Sequence, residues 1–193
     1  MAHAADSASR LWALPLARAI VAAAAGAVVT FSPDHGPALG LTVFGGFAIA
    51  SGAVAIVNAV RTLSGRARSL GVGAAALTVV VGMAAFFALP VATLLAFVAL
   101  VAGWGLVSGF LEFASGRRGS GLAARDRVVV GVGTMLLGAA FALLPPHPVV
   151  TVGLLGAYAV MLGVYLAIAA FSLKWAAVAD PAARTTPTSG GDR

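Results

Sequence analysis

The chain has 193 residues, of which 61% are hydrophobic and only 9% charged, with a net charge of +6 and a mean hydropathy of +1.03. Soluble domains carry about 25% charged residues, so this composition excludes an ordinary soluble domain and favours the membrane class. The absence of cysteine excludes disulfides, thiolate metal sites and a cysteine nucleophile, and we assign the positive charge to membrane topology and not to nucleic acid.

Six long apolar runs follow one another along the chain. Each is close to the roughly 20 residues that cross about 30 Å of hydrocarbon as a helix, and they are continuous and not alternating, which favours helices over a barrel. The predicted spans are 11–31, 38–60, 70–89, 91–114, 128–144 and 149–172. We interpret 1–10 as a cytoplasmic tail and 179–193, which is rich in Pro, Thr, Ser and Gly, as a disordered cytoplasmic tail.

The segments outside these runs fall into two classes. The two tails and the predicted loops at 61–68 and 115–127 carry Lys or Arg, whereas the segments at 31–37, around Pro90 and at 145–148 carry none. Basic residues favour the cytoplasmic side of a membrane. The sequence therefore predicts a multi-pass inner-membrane protein with both termini in the cytoplasm.

An eight-residue phrase occurs three times, at 45–52, 102–109 and 156–163. Each copy consists of two small residues, an aromatic, a small residue, an apolar residue, two variable positions and a glycine. The aromatics Phe47, Trp104 and Tyr158 lie 57 and 54 residues apart. A period near 55 residues predicts one unit repeated three times. We expect the three aromatics to pack between the repeats, with the lining of a ligand cavity as the alternative.

The predicted fold is therefore all-α, a polytopic membrane protein with six transmembrane helices arranged as three tandem helical hairpins. The repeats occupy residues 11–61, 69–118 and 127–174. Small residues let helices approach closely in lipid. The first helices carry small residues seven apart at Ala19 and Gly26, Ala75 and Gly82, and Gly131 and Gly138. The second helices carry the phrase glycines that we predict to mediate packing: Gly45, Gly52, Gly105, Gly109, Gly156 and Gly163.

A glycine is followed seven or eight positions later by a proline in each repeat, at Gly26/Pro33, Gly82/Pro90 and Gly138/Pro145. With the Gly-Ala-Tyr-Ala phrase at 156–159, this pattern resembles the HdeD family of bacterial inner-membrane proteins linked to acid resistance. The resemblance covers about residues 11–172 and implies a role in acid or general stress tolerance.

The resemblance also concerns single positions. Family repeats often carry an acidic residue just before the last glycine of the phrase, where this chain has Ser51, Ser108 and Leu162. A role that depends on that acid is therefore not expected here. Arg18 stands where family members often have an arginine in the first helix.

Three polar residues lie inside the predicted spans and are candidates for function: Arg18, Asn58 and Glu112. Arg18 either reaches the headgroups with its long side chain, pairs with Glu112, or belongs to a proton or solute path. Glu112 could equally pair with Arg117 or Arg118, or reach water. For Asn58 we expect an interhelical hydrogen bond.

His35 and His147 lie in predicted outward turns, and Asp34 precedes the first. Because histidine titrates near pH 6.5, outward histidines could sense acid, and with Asp34 they could ligate a metal. Solvated turn residues are the simpler interpretation. We predict no metal site.

No catalytic signature is visible, so we predict a non-enzymatic protein without a cofactor. Its expected partner is the lipid bilayer, with anionic lipids at the inner leaflet as an additional option. The sequence leaves self-association open and identifies no protein partner. A small transporter or channel is the alternative function, and an outward-facing pH sensor is a second.

Overall fold

The computed structural model describes residues 12–179, and all regular secondary structure in this part of the chain is helical. Its long helices are α1 (Ala13–Phe31), α2 (Pro37–Thr62), α3 (Gly65–Phe87), α4 (Leu94–Arg117), α5 (Leu122–Leu143) and α6 (Pro148–Ala179). All six are long and apolar enough to cross a membrane. The prediction of an all-α polytopic membrane protein is confirmed. The predicted tail at 1–10 and the predicted tail beyond Ala179 lie outside the described residues.

Several helices continue past the predicted spans at the end of the bundle that carries the basic connections, which we call the basic end. The predicted loop at 61–68 shrinks to residues 63–64, and the loop at 115–127 shrinks to residues 118–121. The loop prediction was wrong for Asp126 and Arg127, which lie on α5. Hydropathy marks the length of helix that suits hydrocarbon, whereas a helix continues as long as its backbone is hydrogen-bonded, and long basic side chains extend from it toward the interface.

The opposite end of the bundle, which we call the proline end, contains the three proline-bearing turns. Pro37 and Pro148 each begin a helix, where the missing N–H costs nothing because the first helical amides have no intrahelical partner. The middle turn is a short 3-10 helix, Leu89–Val91. Thr93 then caps α4 by accepting a hydrogen bond from the Ala96 amide.

The six helices form a closed ring in chain order, because α6 packs against α1. The most extensive contacts join helices of neighbouring repeats: α2 with α3, α4 with α5, and α6 with α1. Helices of the same repeat contact each other less, and α5 and α6 barely touch. The repeats are therefore consecutive in sequence, but the tight helix pairs lie across their boundaries.

Small residues produce these tight pairs. A Cβ on Gly105 would lie 2.7 Å from the Cα of Gly138, and a Cβ on Gly45 would lie 3.0 Å from the carbonyl oxygen of Gly82. A Cβ on Gly163 would lie 3.2 Å from the carbonyl oxygen of Ala19. The remaining phrase glycines have the same kind of neighbour: Gly52 faces α3, Gly109 faces α5 and Gly156 faces α1. The phrase of each second helix thus packs on the small-residue pair of the next first helix around the ring.

Candidate functional site

Phe47, Trp104 and Tyr158, the three repeated aromatics, meet at the centre of the ring. Their ring centroids are 6.1, 6.3 and 6.4 Å apart, and each pair of rings is nearly perpendicular, at 81–90°. Edge-to-face contacts of this kind are favourable for aromatic rings. The phrase therefore brings one aromatic from each repeat to a common, nearly threefold axis, and we call this group the aromatic triad.

A threonine accompanies each aromatic that has a polar atom. The Trp104 indole N–H donates to Thr78 Oγ1 at 3.0 Å, and the Tyr158 hydroxyl lies 2.7 Å from Thr134 Oγ1. Thr78 and Thr134 are 56 residues apart, the spacing that also separates Gly82 from Gly138. The first repeat has the fully buried Ala22 at this position, and its aromatic is a phenylalanine. Each repeat thus matches its aromatic with a suitable partner.

The proline-end side of the aromatic triad is filled with apolar side chains. Phe44 lies against Trp104 with centroids 5.2 Å apart, and Phe97 lies against Phe141 at 5.5 Å. All four rings are almost completely buried.

The basic-end side of the triad contains a polar cavity of about 120 Å³. It contains the Arg18–Glu112 ion pair, in which Arg18 Nη1 donates to Glu112 Oε1 at 3.4 Å. Both side chains are largely buried, with 13% and 12% of their surfaces exposed. Asn58, Thr62, Asp126 and Arg127 line the same space. A smaller cavity of about 20 Å³ continues from Arg18 and Glu112 to the aromatic triad.

Arg127 belongs to this site, although the sequence analysis treated it as a loop residue. It is only 7% exposed and lies within electrostatic range of Glu112 and Arg18. A Cβ on Gly71 would lie 3.3 Å from Arg127 Nη1, so the glycine makes room for the guanidinium. The sequence did offer a signal: residues 122–127 contain no helix breaker and run directly into an apolar helix.

The cavity is rich in donors. Arg127 Nη2 and Arg18 Nε are buried and have no hydrogen-bond partner among the described residues. Glu112 pairs with Arg18 and not with Arg117 or Arg118; Arg118 donates to the Ala114 carbonyl instead. Of the two guanidinium groups, only that of Arg18 is directly paired with a carboxylate among the described residues, and buried charged donors without acceptors are costly.

Asn58 lines the cavity but makes no interhelical hydrogen bond with the described residues. Its Oδ1 accepts a long bond, at 3.5 Å, from Thr62 Oγ1, one turn later on α2. The shorter bond of that hydroxyl, at 2.7 Å, goes to the Asn58 carbonyl. The amide is therefore available to whatever occupies the cavity.

The histidines lie elsewhere, at the proline end. His35 is half-buried and His147 is exposed, and neither imidazole forms a hydrogen bond or ion pair with another described residue. Within 12–179, no three His, Asp or Glu side chains are grouped closely enough to hold a metal ion. The structure brings Arg18, Asn58 and Glu112 together and leaves both histidines outside that group.

Part of the chain is similar to a known family. Residues 17–87 match DUF308, described as a short repeat of unknown function. The match covers α1, α2 and α3, and so includes the tight α2–α3 pair and Phe47. No curated protein and no solved structure matches the chain.

These observations describe an integral membrane protein with a charged site on one side of the aromatic triad. Two arginines and a glutamate come from three different repeats: Arg18 on α1, Glu112 on α4 and Arg127 on α5. Position 127 corresponds to Gly71 and Pro15 in the other repeats, at the 56-residue spacing. The charged site is therefore where this protein departs from threefold symmetry, and intramembrane charges of this kind usually serve a function.

Proposed function

We propose that this protein is a non-enzymatic, HdeD-like inner-membrane protein that contributes to acid or general stress tolerance. The observation that carries the proposal is the recurrence of one packing unit around the whole ring. DUF308 is the domain type of HdeD-like membrane proteins, and its match covers residues 17–87. The same glycine contacts and aromatic position recur through α3–α6, beyond the matched segment.

A role in acid tolerance requires that the protein does not make the membrane permeable to protons. Acid stress drives protons inward across the membrane, and a protein that remains there must not leak. Buried aromatic rings pack in the proline-end half of the axis, while Arg18, Glu112 and Arg127 lie in the other half. This arrangement suits a protein that stays in the membrane without dissipating a gradient.

The test is deletion of the gene, with survival scored after exposure to low pH. We expect reduced survival, full rescue by the wild-type gene and poor rescue by Arg18→Ala expressed at equal level. A His35→Ala/His147→Ala double variant is the matched control, because these residues lie outside the cavity; loss of rescue by this variant would instead support the pH-sensor alternative. Unchanged survival of the deletion strain under acid and other stresses would contradict the proposal.

A small transporter is the second candidate, because the cavity brings Arg18, Asn58 and Glu112 into one polar space. Transport requires a second state in which the aromatic triad separates. Purified protein in liposomes with an internal pH dye and a trapped anion provides the test. Solute-dependent proton or anion flux that is lost in Glu112→Gln would favour transport, whereas liposomes as tight as protein-free ones would contradict it.

A further inference from the structure

One gap in the ring is much wider than the others, and it lies between α5 and α6. An apolar groove of about 460 Å³ occupies it, within the range of about 300–1,000 Å³ typical of small-molecule sites. Along α5 its lining runs from Val129 to Ala140, which spans about 16 Å at about 1.5 Å per residue. The groove is thus long enough for an extended apolar chain.

A glycine enlarges this gap. The corresponding gap between α3 and α4 has a volume of about 260 Å³ and is lined by Leu77. The residue 56 positions later is Gly133, which lines the α5–α6 groove, and a Cβ there would meet nothing within 4 Å. The first repeat has Val21 at this position. The third repeat therefore leaves a larger space open than the second.

The groove adjoins the polar cavity at its inner end. Val130 lines both spaces. At the same level, Tyr165 of the groove donates a hydrogen bond of 2.8 Å to Asp126 of the cavity. The apolar groove and the cavity that Arg18 and Arg127 line are thus neighbours that share Val130.

The free hydrogen-bond donors of the cavity indicate which polar group of a ligand would bind there. The carboxylates that face it already have donors, since Glu112 accepts from Arg18 and Asp126 accepts from Tyr165. The unpartnered groups are donors, Arg18 Nε and Arg127 Nη2. A carboxylate matches a guanidinium in shape and charge, and it fits a space of about 120 Å³ better than a bulky phosphodiester headgroup.

We propose that the cavity and the α5–α6 groove together bind a free fatty acid, with its carboxylate at Arg18 and Arg127 and its chain along Gly133. The ligand supplies the missing acceptor and fills the apolar space with one molecule. This inference goes beyond the proposed stress function and does not depend on it, because binding is measured on purified protein and not on survival.

The test uses fluorescence of the full-length protein in nanodiscs of zwitterionic phosphatidylcholine. Trp12→Phe and Trp175→Phe leave Trp104 as the only indole; it lies against Tyr158, which lines the groove. We expect brominated laurate to quench Trp104 saturably and unbrominated laurate to compete. Dodecanol should compete at least tenfold more weakly, since it has the same chain and no charge. Equal competition by dodecanol would overturn the basic head site, and equal competition by phosphatidylglycerol would overturn the choice of a fatty acid.

Two variants with matched controls locate the ligand. Arg127→Gln should weaken laurate binding at least tenfold, whereas Arg125→Gln, which removes an exposed charge two residues away, should not. Gly133→Leu reproduces the second repeat and should block the chain, whereas Gly73→Leu, at an exposed position of α3 where a Cβ would meet nothing within 4 Å, should leave affinity unchanged. Gly133→Leu keeps the proposal testable if Arg127→Gln does not fold. Undiminished binding by a folded Gly133→Leu protein would overturn the proposal.

Discussion

At the residue scale, the repeats show which polar atoms the core tolerates. A buried indole N–H or hydroxyl in lipid must be satisfied within the protein, and Thr78 and Thr134 do this for Trp104 and Tyr158. Phe47 has no such atom, and the alanine at the corresponding position in its repeat provides none. The identity of one residue therefore depends on the residue that faces it across the hairpin.

This dependence predicts a double-mutant result. Thr78→Ala leaves the Trp104 indole N–H without its partner and should cost on the order of 1–3 kcal/mol of stability. Adding Trp104→Phe produces the phenylalanine–alanine combination of the first repeat and removes the unpaired N–H. Stability should therefore recover in part, and the recovery is incomplete because the phenylalanine ring fills less space than the indole. Both effects are measured as unfolding midpoints, by heating the protein in detergent and determining by size-exclusion chromatography how much remains folded. Additive losses in the double variant would show that the hydrogen bond is not the cause.

The charged cavity predicts an asymmetry between its members. Glu112→Gln removes the carboxylate that is paired with Arg18 and leaves two buried guanidinium groups with one acidic side chain, Asp126, lining the same cavity. Stability should therefore fall by about 1–3 kcal/mol or more. Arg18→Gln in the same chain removes the excess charge and should restore part of it. Unfolding midpoints of both variants, compared at low and high salt, test this; an unchanged midpoint for Glu112→Gln would mean that water already compensates these charges.

At the element scale, much of the fold could be predicted and the pairing of helices could not. Continuous apolar runs define six helices because lipid permits few other structures. The glycines indicate close approach, but Gly45 does not indicate which helix approaches it, and small residues seven apart occur in every first helix. Arg127 was missed for a related reason. A charged residue was taken to mark the end of an apolar span, whereas the Arg127 side chain is buried in the bundle against Gly71 of α3.

The helix pairs predict opposite effects for two neighbouring glycines of α4. A Cβ on Gly105 would lie 2.7 Å from Gly138 Cα, whereas a Cβ on Gly103 would meet nothing within 4 Å. Gly105→Ala should therefore destabilise the protein by about 1–3 kcal/mol through overpacking. Gly103→Ala should leave stability unchanged or raise it, because alanine favours helix. Equal unfolding midpoints for the two variants would argue against a tight α4–α5 pair.

At the scale of the whole molecule, all three repeats must pack together in a ring to form the aromatic triad. Each repeat supplies one aromatic to the triad, and α6 must reach α1 to complete it. At the basic end, the Lys174 ammonium of α6 lies 4.9 Å from the centroid of the Trp12 ring, a cation–π contact that supports the same closure. The charges that break the symmetry then lie on one side of this centre, so the orientation of the bundle decides which compartment reaches them.

Orientation can be measured directly, because the chain has no native cysteine. Arginine-bearing connections favour the cytoplasm, so we expect the basic end, and with it the polar cavity, to face inward. Ser120→Cys and His147→Cys place one thiol at each end, both at exposed positions. In intact cells a membrane-impermeant maleimide should label His147→Cys and spare Ser120→Cys until the membrane is opened. The reverse pattern would place the Arg18–Glu112–Arg127 cavity on the outer side, where it would meet external acid and not the cytoplasm. The half of the axis that is packed with aromatic rings would then face the cytoplasm.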